Sequence, residues 1–346
     1  MKRVMLTVAY DGTGYHGWQV QPNGVTVEEV LNKALSELLK EDIAVIGASR
    51  TDSGVHALGN VAVFDTESRM PADRICFAVN QRLPADIRVQ SSKEVAPDFH
   101  PRKSNCVKTY EYRILNRKIS LPTSRLYSHF CYFDLDLELM RRGAAYLVGE
   151  HDFKSFCTVK TQAEETVRRV ESLTVEREGE MVVIRISGNG FLYNMVRIIA
   201  GTLMKVGMGV YPPEHVEEIL EARDREAAGP KVPASGLTLV SLMYEEKLAP
   251  VIEGSNRHYA YRLDQSAVEE TGGAVLTVER AEDMEFPGLI QRTVHQAFRN
   301  GARRVRISDL GGGRLAAGQQ YGFYRITETP EGLTAVYSPA GSEDEI

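Results

Sequence analysis

The chain has 346 residues, 43% hydrophobic and 25% charged, so it is long enough for two or three modest domains and too apolar for a disordered chain. It holds no run of about 18 apolar residues to span a bilayer, and its opening MKRVMLTVAYDGTGYHGW lacks the apolar core and cleavage site of a signal peptide, so a cytoplasmic protein with no membrane partner is expected. The formal net charge of -6 does not exclude a nucleic-acid partner, because salt confines exposed charges to a range of about 8 Å and local clusters decide.

Arg3 to Tyr10 alternates and is rich in β-formers, which predicts a strand. Asp11 to Gln21 gathers Gly12, Gly14 and Gly17 around Tyr15, His16 and Trp18 and reads as a loop. Thr26 with Glu29 is a capping-box pattern, and Val30, Leu31, Ala34, Leu35, Leu38 and Leu39 follow at helical spacing. Val61 to Asp65 predicts another strand. The order then repeats: a strand over Thr109 to Leu115, an amphipathic helix over Leu137 to Val148, and a hairpin of Val170 to Glu176 with Met181 to Ser187 around a Glu-Gly turn. Phe191 to Val206 is apolar nearly all round apart from Asn194, Arg197 and Lys205, which predicts a buried helix in which Arg197 requires a partner. A short helix from Pro213 to Leu220 and a strand from Leu237 to Tyr244 close this part. After a glycine-containing linker the sequence restarts near Ser255. It reads strand, strand, helix (Leu289 to Arg299), strand and a hairpin through Thr329 to Thr334, a separate small α+β domain with an acidic, disordered end.

Cys76, Cys106, Cys131 and Cys157 are widely spaced and lack companion histidines at zinc-ligand intervals, so they read as reduced thiols and no metal is expected. Between Pro101 and Arg125 the bases Arg102, Lys103, Lys108, Arg113, Arg117, Lys118 and Arg125 face one acid, Glu111, with Tyr110 and Tyr112 among them. That mixture suits a phosphate backbone and its bases; a solvated strand face is the plainer alternative. The run Gly47-Ala48-Ser49-Arg50-Thr51-Asp52-Ser53-Gly54-Val55-His56-Ala57 is a glycine-flanked loop between strands that can present Asp52 to a cleft. Alternatively it is an Asp-Ser-Gly turn with Arg50 paired to a surface acid. His56 is either a substrate contact or a satisfied loop histidine, and His151 with Asp152 lacks metalloprotease spacing.

In order and spacing, YDGTGYHGWQVQP, SRTDSGVHA, NQRLPADIRV, FHPRKS with KTYEYRI, GEHDFKSF, GFLYNMVRIIAGTLMKVG and SGLTLVSLMY resemble the TruA-type tRNA pseudouridine synthases over about residues 3 to 245. The resemblance implies an α+β fold in which two ferredoxin-like halves, residues 1–105 and 106–250, form an extended, mostly antiparallel sheet with a central catalytic cleft; residues 256–340 form the additional domain. It also implies a homodimer acting on tRNA at uridines 38 to 40 of the anticodon stem-loop, without metal or small-molecule cofactor. Asp52 then matches the catalytic aspartate, Arg50 its neighbour, Tyr110 the aromatic stacked on the target base and Arg197 the cation beside the aspartate. The basic segment from Arg102 to Arg125, Lys108 included, and helix residues such as Arg141 and Arg142 are expected on phosphates. A neighbouring arginine is expected to lower the Asp52 pKa. Ser49, Thr238 and Pro101 stand where the family usually has glycine, tyrosine and alanine. Two other classes remain: a catalytically silent tRNA-binding protein or chaperone, which the presence of Asp52, Tyr110 and Arg197 disfavours, and a metal-dependent nuclease, for which no carboxylate cluster is visible. Arg299, Arg303, Arg304 and Arg306 could extend the tRNA surface or form a solvated basic edge.

Overall fold

The computed structural model describes residues 1–158 and 165–244 and, beyond them, 251–255, 259–264, 273–281, 304–310, 320–321, 324–329 and 332–337 with helical positions 290, 293–294 and 297. Residues Met1–Glu245 and Glu246–Ile346 are two compact units. No helix among the described residues is long and apolar enough to cross a membrane.

The first unit opens with β1 (Lys2–Tyr10), whose alternation buries Val4, Leu6, Val8 and Tyr10. Helix α1 (Val27–Leu39) starts where the sequence places it: Thr26 Oγ1 accepts from the Glu29 N–H at 3.3 Å, Glu28 and Glu29 favour the positive end of the helix dipole, and Lys40 closes it in the left-handed conformation. There follow β2 (Ile46–Gly47), β3 (His56–Thr66), α2 (Ala72–Val79) and β4 (Ile87–Val95). This is a β-α-β-β-α-β unit with sheet order β4-β1-β3 and the short β2 also on β3.

The pattern recurs with β5 (Cys106–Asn116), the short β6 (His129–Cys131), α3 (Leu137–Ala145), β7 (Gly149–Asp152), β8 (Val167–Glu178), β9 (Met181–Gly188), α4 (Met195–Gly207), α5 (His215–Ala222) and β10 (Leu237–Tyr244). Its order β10-β5-β9-β8 is again fourth, first, third, second, the ferredoxin-like arrangement. The halves join where β10 pairs in parallel with the start of β3, Thr238 opposite His56 and Leu239 opposite Ala57; β5 and β6 are the other parallel pair in an otherwise antiparallel sheet. The seam therefore lies at the end of the predicted Asp52 loop.

Helix α4 begins at Met195 rather than at Phe191, because Asn194 takes a left-handed conformation (φ 63°) and the residues before it form a turn. Ile198, Ile199, Ala200 and Leu203 of α4 are fully buried. At about 1.5 to 3 kcal/mol for each large aliphatic side chain, that packing exceeds what one arginine costs to hold in the helix. Helix α5 likewise starts two residues later than the Pro213 reading.

The second unit is a seven-stranded sheet of β11 (Val251–Ser255), β12 (Tyr259–Asp264), β13 (Gly273–Ala281), β14 (Arg304–Leu310), β15 (Gln320–Tyr321), β16 (Tyr324–Thr329) and β17 (Gly332–Tyr337), in the order β11-β12-β13-β14-β17-β16-β15. Ile290, Val294 and Ala297, helical positions that fall in sequence between the parallel strands β13 and β14, are buried, and a parallel pair requires such a crossover connection. The stretch read as a linker before Ser255 is strand β11, paired with β12. A truncation removing this unit therefore belongs after Tyr244, since one at Gly254 would cut through β11. Arg304 and Arg306 are exposed, whereas Arg299, Arg303 and the acidic terminus lie outside the described residues.

Candidate active site

The loop from Ala48 to Val55 is tied down from three directions. The Ala48 N–H donates to Val61 O at 2.7 Å, and Asn60 Nδ2 donates to Ser49 O at 3.0 Å. The Tyr10 hydroxyl lies 2.7 Å from Thr51 Oγ1, and the Trp18 N–H donates to Thr51 O at 3.1 Å. Ser53 Oγ donates to Tyr15 O at 3.1 Å, and the Val55 N–H closes a turn onto Asp52 O. The glycine-rich loop after β1 is thus a cradle for the aspartate loop. Gly17 sits at φ +85°, and a Cβ there would lie 2.6 Å from Thr51 O; one at Gly12 would run into the Val55 carbonyl. Gly17→Ala combines left-handed strain of about 1 to 2 kcal/mol with overpacking of about 1 to 3 kcal/mol. It is expected to destabilise the first unit by roughly 2 to 4 kcal/mol in a denaturant titration, and to shift Thr51 and with it Asp52.

Asp52 and Arg197 meet across the seam, Arg197 Nη1 lying 3.4 Å from Asp52 Oδ2, with side chains 12% and 20% exposed respectively. Arg197 is aimed by two further acceptors: its Nε donates to Val232 O at 2.8 Å and its Nη1 to Asn194 Oδ1 at 3.0 Å. The partner required by a charge in an apolar helix is therefore a carboxylate and two carbonyl oxygens. Against expectation, the Asp52 pKa is raised. Burial is the largest influence, and the charge and hydrogen bond of Arg197 and the charge of Lys231 offset only part of it. A 3.4 Å contact is too long for a strong charge-assisted bond, which is why desolvation wins. The outcome is a carboxylate less stabilised than one in water, hence a stronger base and nucleophile once ionised.

Asp52 opens into a cleft of about 700 Å³. Tyr110, on β5, lines it with its ring edge-on to Phe191 at 5.3 Å. Burial, helped by the Asp52 charge, pushes the Tyr110 hydroxyl up to about 12; Ser49 Oγ nearby offsets a little of this, although the pair falls short of hydrogen-bond geometry. Tyr110 is thus a protonated donor at neutral pH.

Arg50, Arg102, Lys108 and Arg168 line the cleft. Arg50 is exposed and pairs with no acid among the described residues, so the turn that Val55 closes onto Asp52 is present without the Arg50 ion pair. Arg102 Nε donates to Gly47 O at 2.8 Å, and Lys108 Nζ reaches Ala48 O at 3.4 Å. Burial lowers the Lys108 pKa, with the Arg102 and Arg168 charges adding to it; an anion entering the cleft would relieve that cost. Other predicted phosphate contacts are engaged elsewhere: Arg113 with Glu111 and Glu178, Arg117 with Glu180, Lys118 with Asp134, Arg141 with Glu138 and Arg142 with Glu214. None of these lines the cleft. His56 also stands outside it, with Nδ1 against the Gly12 N–H and Asp11 and Nε2 2.9 Å from Leu126 O. It fastens the seam. Asp152 bonds Thr166 and pairs with Arg223, as befits a structural residue. Phe191, Tyr193 and Arg168 are cleft residues that the sequence pattern does not single out, because periodicity runs the helix through the FLYN segment; the Arg168–Arg169 pair at the start of β8 is the available signal.

A family model described as tRNA pseudouridine synthase matches residues 6–102 and 144–245. The chain is 47% identical over 244 residues to "tRNA pseudouridine synthase A" of Thermoanaerobacter sp. strain X514, covering 70% of this chain and 100% of that relative. It is 48% identical over 244 residues to the protein of the same name from Brevibacillus brevis, with the same coverage.

Proposed function

This chain belongs to the tRNA pseudouridine synthase family, isomerases that convert uridine to pseudouridine, and from that premise we propose that it modifies uridines 38 to 40 of the tRNA anticodon stem-loop with Asp52 as nucleophile or base. The observation that carries the assignment to Asp52 is its position: a partly buried carboxylate, held by Arg197, opening into a cleft with an aromatic wall and a cationic rim. The reaction breaks the bond from N1 to C1′ and forms one from C5 to C1′; C5 gives its proton to solvent and N1 takes one up, so the product is an isomer with no net oxidation. One ionised carboxylate suffices to act at the sugar or the base.

The uracil leaves its stack to reach Asp52, at a cost of a few kcal/mol. Packing on Tyr110 returns about 1 to 3 kcal/mol, so net affinity falls to phosphate contacts by Arg50, Arg102, Lys108 and Arg168. The protein works as a homodimer in the cytoplasm; the half containing residues 1–105 supplies Asp52, and the half containing residues 106–250 supplies Tyr110 and Arg197. The test is release of tritium from tRNA labelled at uridine C5, followed by mapping of the product. Release with pseudouridine at positions 38 to 40 is expected. Tight tRNA binding without release would leave a silent binder, and release from other positions would overturn the anticodon assignment alone.

A further inference from the structure

We propose that Asn194 is a positioning residue for the isomerase: its side-chain carbonyl aims the Arg197 guanidinium at Asp52, and its strained backbone is retained for that purpose. The inference rests on the assignment of Asp52 and Arg197 made above. Among the described residues three non-glycines adopt the left-handed conformation. Lys40 and Arg223 close helices, where such a conformation is ordinary. Asn194 instead precedes a helix, at φ 63° and ψ 6°, and gives α4 no side-chain cap. Asparagine tolerates this region better than most residues, but glycine takes it at no steric cost. Strain of this kind persists where the surroundings hold it, and it concentrates at functional sites.

What the conformation accomplishes is visible in the bonds. Asn194 is 6% exposed and lines the cleft. Its Oδ1 accepts from Arg197 Nη1 at 3.0 Å, the nitrogen that also reaches Asp52 at 3.4 Å. With Val232 O holding Nε, the guanidinium is fixed at two of its nitrogens, and Nη1 is shared between Asn194 and the carboxylate. Had the chain entered α4 in a helical conformation at residue 194, the side chain would leave this position. The Asn194 Nδ2 is buried without a partner among the described residues, a further cost that helix capping or core packing alone does not explain. Among the described residues the groups acting on Asp52 are Arg197 from α4, Lys231 from the segment before β10 and Tyr110 from β5; Arg50, on its own loop, lines the same cleft, and Tyr112 faces Arg197.

The test compares Asn194→Gly and Asn194→Asp with wild type in full-length protein, reading thermal midpoint, kcat, KM and the pH dependence of tritium release. Glycine relieves the backbone and removes the acceptor. The expected result is a thermal midpoint equal to or above wild type, kcat down by about tenfold to a hundredfold, KM little changed, and an acid limb moved to higher pH. Aspartate keeps an acceptor for Arg197 but adds a like charge near Asp52, so the acid limb moves to higher pH without a comparable loss of rate above it. Wild-type kcat and pH profile in Asn194→Gly would overturn the inference, as would a loss of activity that only follows a loss of thermal midpoint. An active Asp52→Asn control would overturn the Asp52 assignment instead, so the two failures are distinguishable.

Discussion

Asp52→Asn is expected to lower tritium release by about 10⁴-fold or more, to leave tRNA affinity unchanged or slightly tighter, and to raise the thermal midpoint. The loss of activity follows from chemistry, since an amide is neither a base nor a nucleophile at neutral pH. The affinity follows from the removal of one negative charge beside a polyanion. The stability follows from the direction of the pKa shift. The folded-state pKa of Asp52 is raised above its ordinary value of 3.8, chiefly by burial. Any stability this group contributes is therefore fully present below the unfolded-state pKa and is lost as pH rises through the folded one, so at neutral pH the ionised carboxylate is a net cost. The isosteric amide removes that cost while still offering an oxygen to Arg197. An Asp52→Asn protein with lower stability and wild-type tritium release would contradict both the catalytic assignment and the electrostatic account. Greater stability with lost activity is the signature of a site kept reactive at the expense of the fold.

Much of this arrangement is legible in the sequence. Strand β1, helix α1 with its cap, the β8–β9 hairpin and the buried helix around Arg197 carry strong periodic or capping signals. Elements with weak patterns are not. Helix α2 has eight residues, too few for its apolar spacing to stand out, and β4 exposes much of its length and carries a bulge against β1. The entry into α4 is not legible in the sequence, because apolar Phe191 and Leu192 continue the helical pattern, while the break is made by one left-handed residue that no periodicity reveals. Within the site, residue types were readable but pairing was not. A cluster of positive residues in sequence says nothing about which already face an acid across a strand: Arg113 meets Glu111 and Glu178, whereas Arg168, distant in sequence, joins Lys108 at the cleft. The sign of the Asp52 shift depended on a contest between burial and one long ion pair, and only distances decide that contest.

Arg197→Met is expected to lower kcat at pH 7 by about 10²-fold, the scale of a misplaced reacting group, with part of the loss recovered as pH rises. Methionine keeps most of the side-chain volume inside α4 and removes the charge. Asp52 then loses the largest influence opposing its burial, so its pKa rises further, less carboxylate is present at neutral pH, and the acid limb of the pH profile moves up. Breaking a fully enclosed ion pair by removing one partner costs about 3 to 5 kcal/mol; with side chains 12% and 20% exposed and a long contact, the cost here falls below that range. The double variant Asp52→Asn, Arg197→Met removes both charges, and Asp52→Asn is expected to add more stability in the Arg197→Met background than it adds to wild type, so the two changes are non-additive. An acid limb identical to wild type in Arg197→Met would mean that Arg197 acts on the substrate rather than on Asp52. An additive double variant would mean that the 3.4 Å contact couples the two groups no more than any pair of residues in the core.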